Sequence, residues 1–324
     1  MPRRYLLSID GGGIRGIIPA IALAKLEQTT GRLTREIFSF VAGTSTGAIL
    51  TAAIAAGIPA TRIRDLYINR AVEVFPQDPW NTLKRVILGS MYSSQKLHNT
   101  IAEEIGPARD WRINDSPVDV LITAKRVPDG MAWYFVRDKA ANSGYTGQLR
   151  LVDCVTASAA APTYIPPWTI DSPVPVGTLV DGGVGTAGNP VYQACVEAFE
   201  FTGEYTPGQT LTVSLGTGRY IQRQTPTWIW SWLKWMLVQL LESPGEQQTE
   251  ITRRQYPQMP FYRIDTELKE DIPLDDIGSI DKLRGYGERL AERTDWEAIL
   301  ARQVLPYRIG QENTQWKQYK QPAN

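Results

Sequence analysis

The chain has 324 residues, enough for one large domain or two modest ones. Hydrophobic residues make up 43% and charged residues 21%, an ordinary globular balance, and 34 Lys+Arg cancel 34 Asp+Glu, which argues against bulk attraction to nucleic acid. Two cysteines without metal-like spacing and a single histidine argue against a disulfide framework or a His-rich metal site.

The opening MPRRYLLSIDGGG carries an apolar run too short for a signal-peptide core, and no run reaches the roughly 18 to 20 apolar residues of a spanning helix. The expectation is a soluble cytoplasmic protein. In chain order, the pattern predicts a strand over 5–9, a helix over 16–29, a strand over 38–42, and helices over 48–56 and 60–75. Two strands, 118–126 and 131–136, flank the turn Pro128-Asp129-Gly130. A helix over 151–161, a strand over 176–180, a helix over 190–200 and a strand over 210–215 follow. Beyond Ile280 the stretch KLRGYGERLAERTDWEAILARQ reads as one polar-faced helix, and the last residues as a polar tail. Alternating strands and helices predict an α/β domain with a parallel sheet and a more helical C-terminal third.

Gly43-Thr44-Ser45-Thr46-Gly47 matches G-x-S-x-G between a strand and a helix. Such a turn presents the serine hydroxyl outward, its glycines let a substrate approach, and the helix start favours a developing anion. The plain alternative is a glycine-rich turn in which Ser45 caps the helix. A serine nucleophile needs a base. The sole histidine, His98, precedes the best acidic candidate, the wrong order for an α/β-hydrolase triad, and reads as a surface or capping residue.

Asp10-Gly11-Gly12-Gly13-Ile14-Arg15-Gly16 also follows a strand and opens a helix. It formally satisfies G-x-G-x-x-G. A dinucleotide site needs an acidic residue at the end of the next strand, and no acidic residue lies between Phe38 and Gly47. The alternative is an oxyanion hole made of main-chain N–H groups of Gly11, Gly12 and Gly13, with Arg15 adding charge or bracing the loop. Asp181, followed by Gly182 and Gly183, ends an apolar strand. Asp-Gly-Gly is a common turn, but here it also places a carboxylate where it can serve Ser45 as base.

Together, DGGGIRG at 10–16, GTSTG at 43–47, ASAAAPTYIPP at 157–167 and DGG at 181–183 resemble the patatin-like phospholipase family. The similarity covers roughly residues 5–220. It implies a three-layer α/β/α fold with a mostly parallel central sheet, over a domain at 1–305 whose part from 221 on is more helical, before a polar tail at 306–324. It implies a serine lipid acyl hydrolase of phospholipase A or lysophospholipase type, with Ser45 as nucleophile, Asp181 as general base, the backbone of Gly11, Gly12 and Gly13 with Arg15 at the oxyanion, and Gly16, Gly43, Gly47, Gly182 and Gly183 shaping the motifs. No metal or cofactor is implied; the partner is a phospholipid or other acyl lipid, not nucleic acid. A catalytically silent lipid binder and an acyltransferase using the same pair are the alternatives. Ala157-Ser158-Ala159-Ala160-Ala161-Pro162 is read as a tight helix end, Asn189-Pro190 as shaping the loop after Gly183, and Gly216-Thr217-Gly218 receives no role in the chemistry. Some members of the family are switched on by a small nucleotide or a partner; residues 242–301 could host such control, though they contain no nucleotide motif, and whether an activator is needed is left open.

Residues 226–241, PTWIWSWLKWMLVQLL, carry Trp228, Trp230, Trp232 and Trp235, three of them at helical spacing on one face. Indoles favour the water–hydrocarbon boundary, so this segment is either a peripheral membrane contact or a buried packing helix. Oligomeric state is left open.

Overall fold

Alternation of side chains along the strands builds two cores, one on each face of a sheet. The computed structural model describes residues 4–74, 92–139, 145–185, 188–221, 225, 227–302 and 308–309. Leu7, Ile9, Val41, Val120, Ile122, Val213 and Leu215 point to one face, against a large helical layer. Their neighbours Leu6, Phe40, Ala42 and Leu121 point to the other, with Val191, Ala194, Cys195, Tyr256 and Met259. Because successive side chains in a strand face opposite ways, strands buried on both faces read as continuous apolar runs, as LLSI and FVAG do. The result is the expected α/β/α sandwich.

Among the described residues the main sheet has nine strands. β1 (Arg4–Ile9) is central, with β2 (Phe40–Gly43) on one side and β7 (Thr210–Leu215) on the other, both parallel to it. β9 (Phe261–Ile264) extends the sheet beyond β7, and the two-residue β11 (Arg308–Ile309) pairs with β9. β11 falls inside the segment read as a polar tail, most of which lies outside the described residues, as does Phe75.

β3 (Asp119–Arg126) positions the site. β2 covers only its first half, Phe40–Gly43 opposite Asp119–Ile122. β6 (Gly177–Asp181) takes up the same edge further along, antiparallel, with Asp181 opposite Ala124, while β4 (Ala132–Val136) lines the other edge. β2 and β6 therefore run toward each other and stop almost end to end. The parallel arrangement expected from strand–helix alternation brings the glycine loop beside the serine turn, but Asp181 arrives on an antiparallel strand.

α1 (Ile17–Thr30) packs against α9 (Ile280–Arg293) and is buried on most sides, from Ile17 through Ala24 and at Leu26. It ends where Gly31 adopts φ 65° and returns its N–H to the Glu27 carbonyl, a left-handed cap that glycine takes without strain. Between them in chain order lie α2 (Thr34–Ile37), α3 (Thr46–Ala56), α4 (Ala60–Val74), α5 (Ser94–Glu104), α6 (Leu151–Ser158), α7 (Val191–Val196) and α8 (Ile229–Gln255). The helix expected to run unbroken past Ile280 is interrupted: Asp295 caps a new helix, α10 (Trp296–Leu300), by accepting the Ala298 N–H at 3.0 Å, and the Trp296 indole donates to the Ala22 carbonyl at 3.1 Å.

Four further strands have no counterpart in the pattern reading: β5 (Trp168–Ile170), β8 (Arg219–Tyr220), β9 and β10 (Glu267–Leu268). They are two to four residues long, too short for alternation to register, and β9 buries an arginine in mid-strand. Among the described residues no helix is long and apolar enough to cross a membrane.

Candidate active site

The serine turn is forced by its neighbours. A Cβ on Gly43 would collide with the Gly47 carbonyl, and one on Gly47 with the Ile9 carbonyl, so β2 can turn into α3 in so few residues only with glycine at both places. Ser45 itself takes φ 55°, ψ −120°, a strained conformation for a residue with a side chain. Its side chain does not cap α3, which removes the plain alternative for this residue. The hydroxyl instead shares a cavity with the Asp181 carboxyl, close enough to pull its pKa down as a hydrogen-bonding neighbour.

Asp181 is buried, 2% exposed, and its Oδ1 also accepts the Gly183 N–H at 2.7 Å. Burial pushes its carboxyl from 3.8 up to about 6, against the opposite pull of the Ser45 and Gly183 hydrogen bonds. Gly182 leaves no room for a side chain against Thr123, whose hydroxyl meets that of Thr44 at 2.7 Å. The segment 157–161 does more than end a helix. Ser158 Oγ accepts the Ser45 N–H at 2.9 Å, and the Ala160 carbonyl accepts the Asp181 N–H at 3.0 Å. Sequence reasoning missed this. The signal was a serine within an alanine run, in a motif already singled out.

The glycine loop lies beside the pair, so close that a side chain on Gly11 would press on Ser45. One expectation needs correcting. The Gly11 N–H is committed to the Gly188 carbonyl at 2.9 Å, so it cannot also point at a substrate. The N–H groups of Gly12 and Gly13 make no hydrogen bond among the described residues, nor does that of Thr46 at the start of α3. Arg15 is buried and donates through Nε to the Gly12 carbonyl at 3.4 Å, so it braces the loop. Gly16 packs against Thr46 and Tyr67, whose hydroxyls hydrogen-bond each other.

Ser45, Asp181, Gly12 and Gly13 line one cavity of about 150 Å³. Its remaining wall is mostly apolar: Ile49 and Ala53 from α3, Ile63 and Leu66 from α4, Leu97 and Ile101 from α5, and Tyr164 and Ile165. Arg70 and Glu104 form an ion pair across that wall, joined by Glu103 at 3.1 Å from Arg70 and Arg62 at 3.6 Å from Glu104. Among the described residues no group of three or more His, Cys, Asp or Glu side chains is placed to hold a metal ion.

His98 is not in this cavity. Its ring stacks on Trp168 at 4.9 Å and its Nε2 lies 3.0 Å from Asp153, so it ties α5 to α6 from a partly buried position rather than sitting on the surface or capping. The tryptophans divide. Trp228 is 77% exposed and Trp232 39%, with Trp232 and Trp235 in an edge-to-face pair at 5.5 Å. The side chain of Trp230 lies outside the described residues.

The family profile described as Patatin-like phospholipase matches residues 7–195, more than half of the chain. The chain belongs to the patatin-like phospholipase family. The match spans the glycine loop, Ser45, Ser158 and Asp181 and stops before β7, so β9 and the tryptophan segment lie beyond the part that defines a patatin-like domain. Patatin-like protein 2 of Arabidopsis thaliana is 32% identical over 248 residues, covering 66% of this chain and 60% of that protein. A cGAMP-activated phospholipase of Escherichia coli (strain TW11681) is 30% identical over 207 residues, covering 61% and 56%. Patatin-2-Kuras 4 of Solanum tuberosum is 30% identical over 268 residues, covering 72% and 66%. The chain thus spans less than two thirds of the length of these relatives.

Proposed function

We propose that this protein is a serine acyl hydrolase of lipid esters, working through Ser45 and Asp181. The observation that carries the reading is the meeting, in one cavity, of a strained, uncapped Ser45 and a buried Asp181 whose carboxyl is pushed up to about 6. A base needs a pKa near the working pH to be both ionised and willing to accept a proton, and burial supplies it here without histidine.

Asp181 takes the hydroxyl proton as Ser45 Oγ bonds to the ester carbonyl carbon. The carbonyl oxygen gains negative charge against the free N–H groups of Gly12 and Gly13, with the start of α3 adding its partial positive charge. The tetrahedral centre collapses, the ester C–O bond breaks, and the alcohol leaves with the proton from Asp181. Water, deprotonated by Asp181, then attacks the acyl carbon; the acyl–Ser45 bond breaks, the proton passes from Asp181 back to Ser45 Oγ, and the fatty acid leaves. The apolar cavity wall suits the acyl chain, and the exposed Trp228 and Trp232 suit an interfacial approach to a phospholipid surface.

The test is release of free fatty acid from phospholipid vesicles by the wild type beside Ser45→Ala. Release by the wild type alone supports the reading; equal release by both proteins rejects it. Acyl transfer is separated by product, an acylated acceptor instead of free acid.

A further inference from the structure

Arg263 lies on β9, outside the stretch that matches the family profile, yet it reaches the glycine loop. Its guanidinium is buried and grips Asp10 with two prongs, Nη1 to Oδ1 at 2.9 Å and Nη2 to Oδ2 at 2.6 Å. Nη1 also donates to Ser214 Oγ at 2.8 Å and Nη2 to Asp265 Oδ2 at 3.1 Å. Asp265 Oδ1 in turn accepts the Gly218 N–H at 3.0 Å, which fixes the Gly216-Thr217-Gly218 exit of β7. From that exit the Thr217 hydroxyl donates to the Gly11 carbonyl at 2.7 Å, and a side chain on Gly12 would strike it.

Three consecutive glycines have more backbone freedom than any other tripeptide, so the direction of their N–H groups has to be imposed from outside. Here Asp10 anchors the entry of the loop and Thr217 the carbonyl side of Gly11. We infer that Arg263, through Asp10 and Asp265, and Thr217, through Gly11, are positioning residues that hold the Gly12 and Gly13 N–H groups toward Ser45. The inference rests on the proposed role of those N–H groups in the reaction. Stability alone does not account for the cluster, since a buried ion network is often matched or exceeded by apolar side chains of the same volume. The Arg fork fits a planar carboxylate at two points, which lysine cannot do.

The experiment compares Thr217→Val, Thr217→Ser and Arg263→Lys with the wild type. kcat and KM are measured on a soluble aryl ester of a short fatty acid, and amide hydrogen exchange on peptides covering residues 10–16 and α3. Arg263→Lys should lower kcat about 100-fold, the scale on which an ångström of misplacement acts. Thr217→Val should lower it roughly tenfold or more with KM within about twofold, while Thr217→Ser, which keeps the hydroxyl, stays within about threefold of wild type. Exchange should quicken in residues 10–16 and not in α3 for both Arg263→Lys and Thr217→Val. Should Arg263→Lys fail to fold, the Thr217 pair decides. If the wild type shows no turnover that depends on Ser45, the activity reading falls, and exchange alone tests the brace. Unchanged kcat and loop exchange in Thr217→Val, or exchange that quickens equally in α3, overturns the inference.

Discussion

Ser158 accepts the Ser45 N–H through its hydroxyl at 2.9 Å, so a side chain 113 residues away holds the backbone of the proposed nucleophile. Two residues on, Ala160 holds the backbone of Asp181 at 3.0 Å. Both members of the pair are thus hung from one short segment at the C-terminal end of α6. Ser158→Ala leaves the Ser45 N–H without its partner, at a cost of about 1–3 kcal/mol, and lets the hydroxyl drift. We expect a lower unfolding midpoint in urea and a kcat reduced at least about tenfold, with KM little changed. A kcat equal to wild type would remove Ser158 from the account.

The titration of Asp181 fixes the pH profile. Only its carboxylate can take the serine proton, and burial places its titration near 6. kcat/KM should therefore rise as pH increases through about 6 and level off above it, as measured on a soluble ester in the free-enzyme regime. A profile flat from pH 5 to 8 would contradict the role of Asp181.

The same burial predicts an effect on stability. The Asp181 carboxyl sits above its ordinary 3.8 in the folded chain, so the folded state holds that proton more tightly than the unfolded one. Its contribution is most favourable below 3.8 and is lost as pH rises through about 6, leaving a deficit on the order of 3 kcal/mol at neutral pH. Asp181→Asn, which carries no charge, should raise the urea midpoint at pH 7.5 while abolishing turnover, and the gain should shrink toward pH 4. A variant less stable than wild type at pH 7.5 would count against this assignment.

Trp228 and Trp232 are exposed where a soluble surface gains nothing from them. If they dock on lipid, replacing both with alanine removes roughly 1–2 kcal/mol of apolar burial and weakens partitioning to phospholipid vesicles about tenfold. Turnover of a soluble ester should be unaffected. Vesicle sedimentation equal to wild type would assign the tryptophans another purpose.

The parts of this site that could be read in the sequence are those where local geometry forces residue type. Gly43 and Gly47 are legible because any side chain there collides with main chain, and Asp10-Gly11-Gly12-Gly13 because a loop that tight excludes other residues. The central strands are legible because burial on both faces writes continuous apolar runs. What could not be read are contacts made at long range by single residues. Arg263 meets Asp10 across 253 positions, and its four-residue strand carries no periodicity. The antiparallel approach of Asp181 is equally hidden, since Gly177–Asp181 looks the same whichever way it pairs. The committed N–H of Gly11 depends on Gly188, a partner that composition and spacing do not indicate. The exposure of Trp228 is a property of packing, and a helix rich in indoles fits either a core or a surface.

The central claim is that Asp181 activates Ser45 as a nucleophile. Its most direct test is mass spectrometry of the chain after brief exposure to a fluorophosphonate probe at pH 7.5. We predict one adduct per wild-type chain, mapped to Ser45, with Asp181→Asn labelled at least about 100-fold more slowly. A wild type that takes no adduct at Ser45, or an Asp181→Asn variant labelled as fast as wild type, would contradict it.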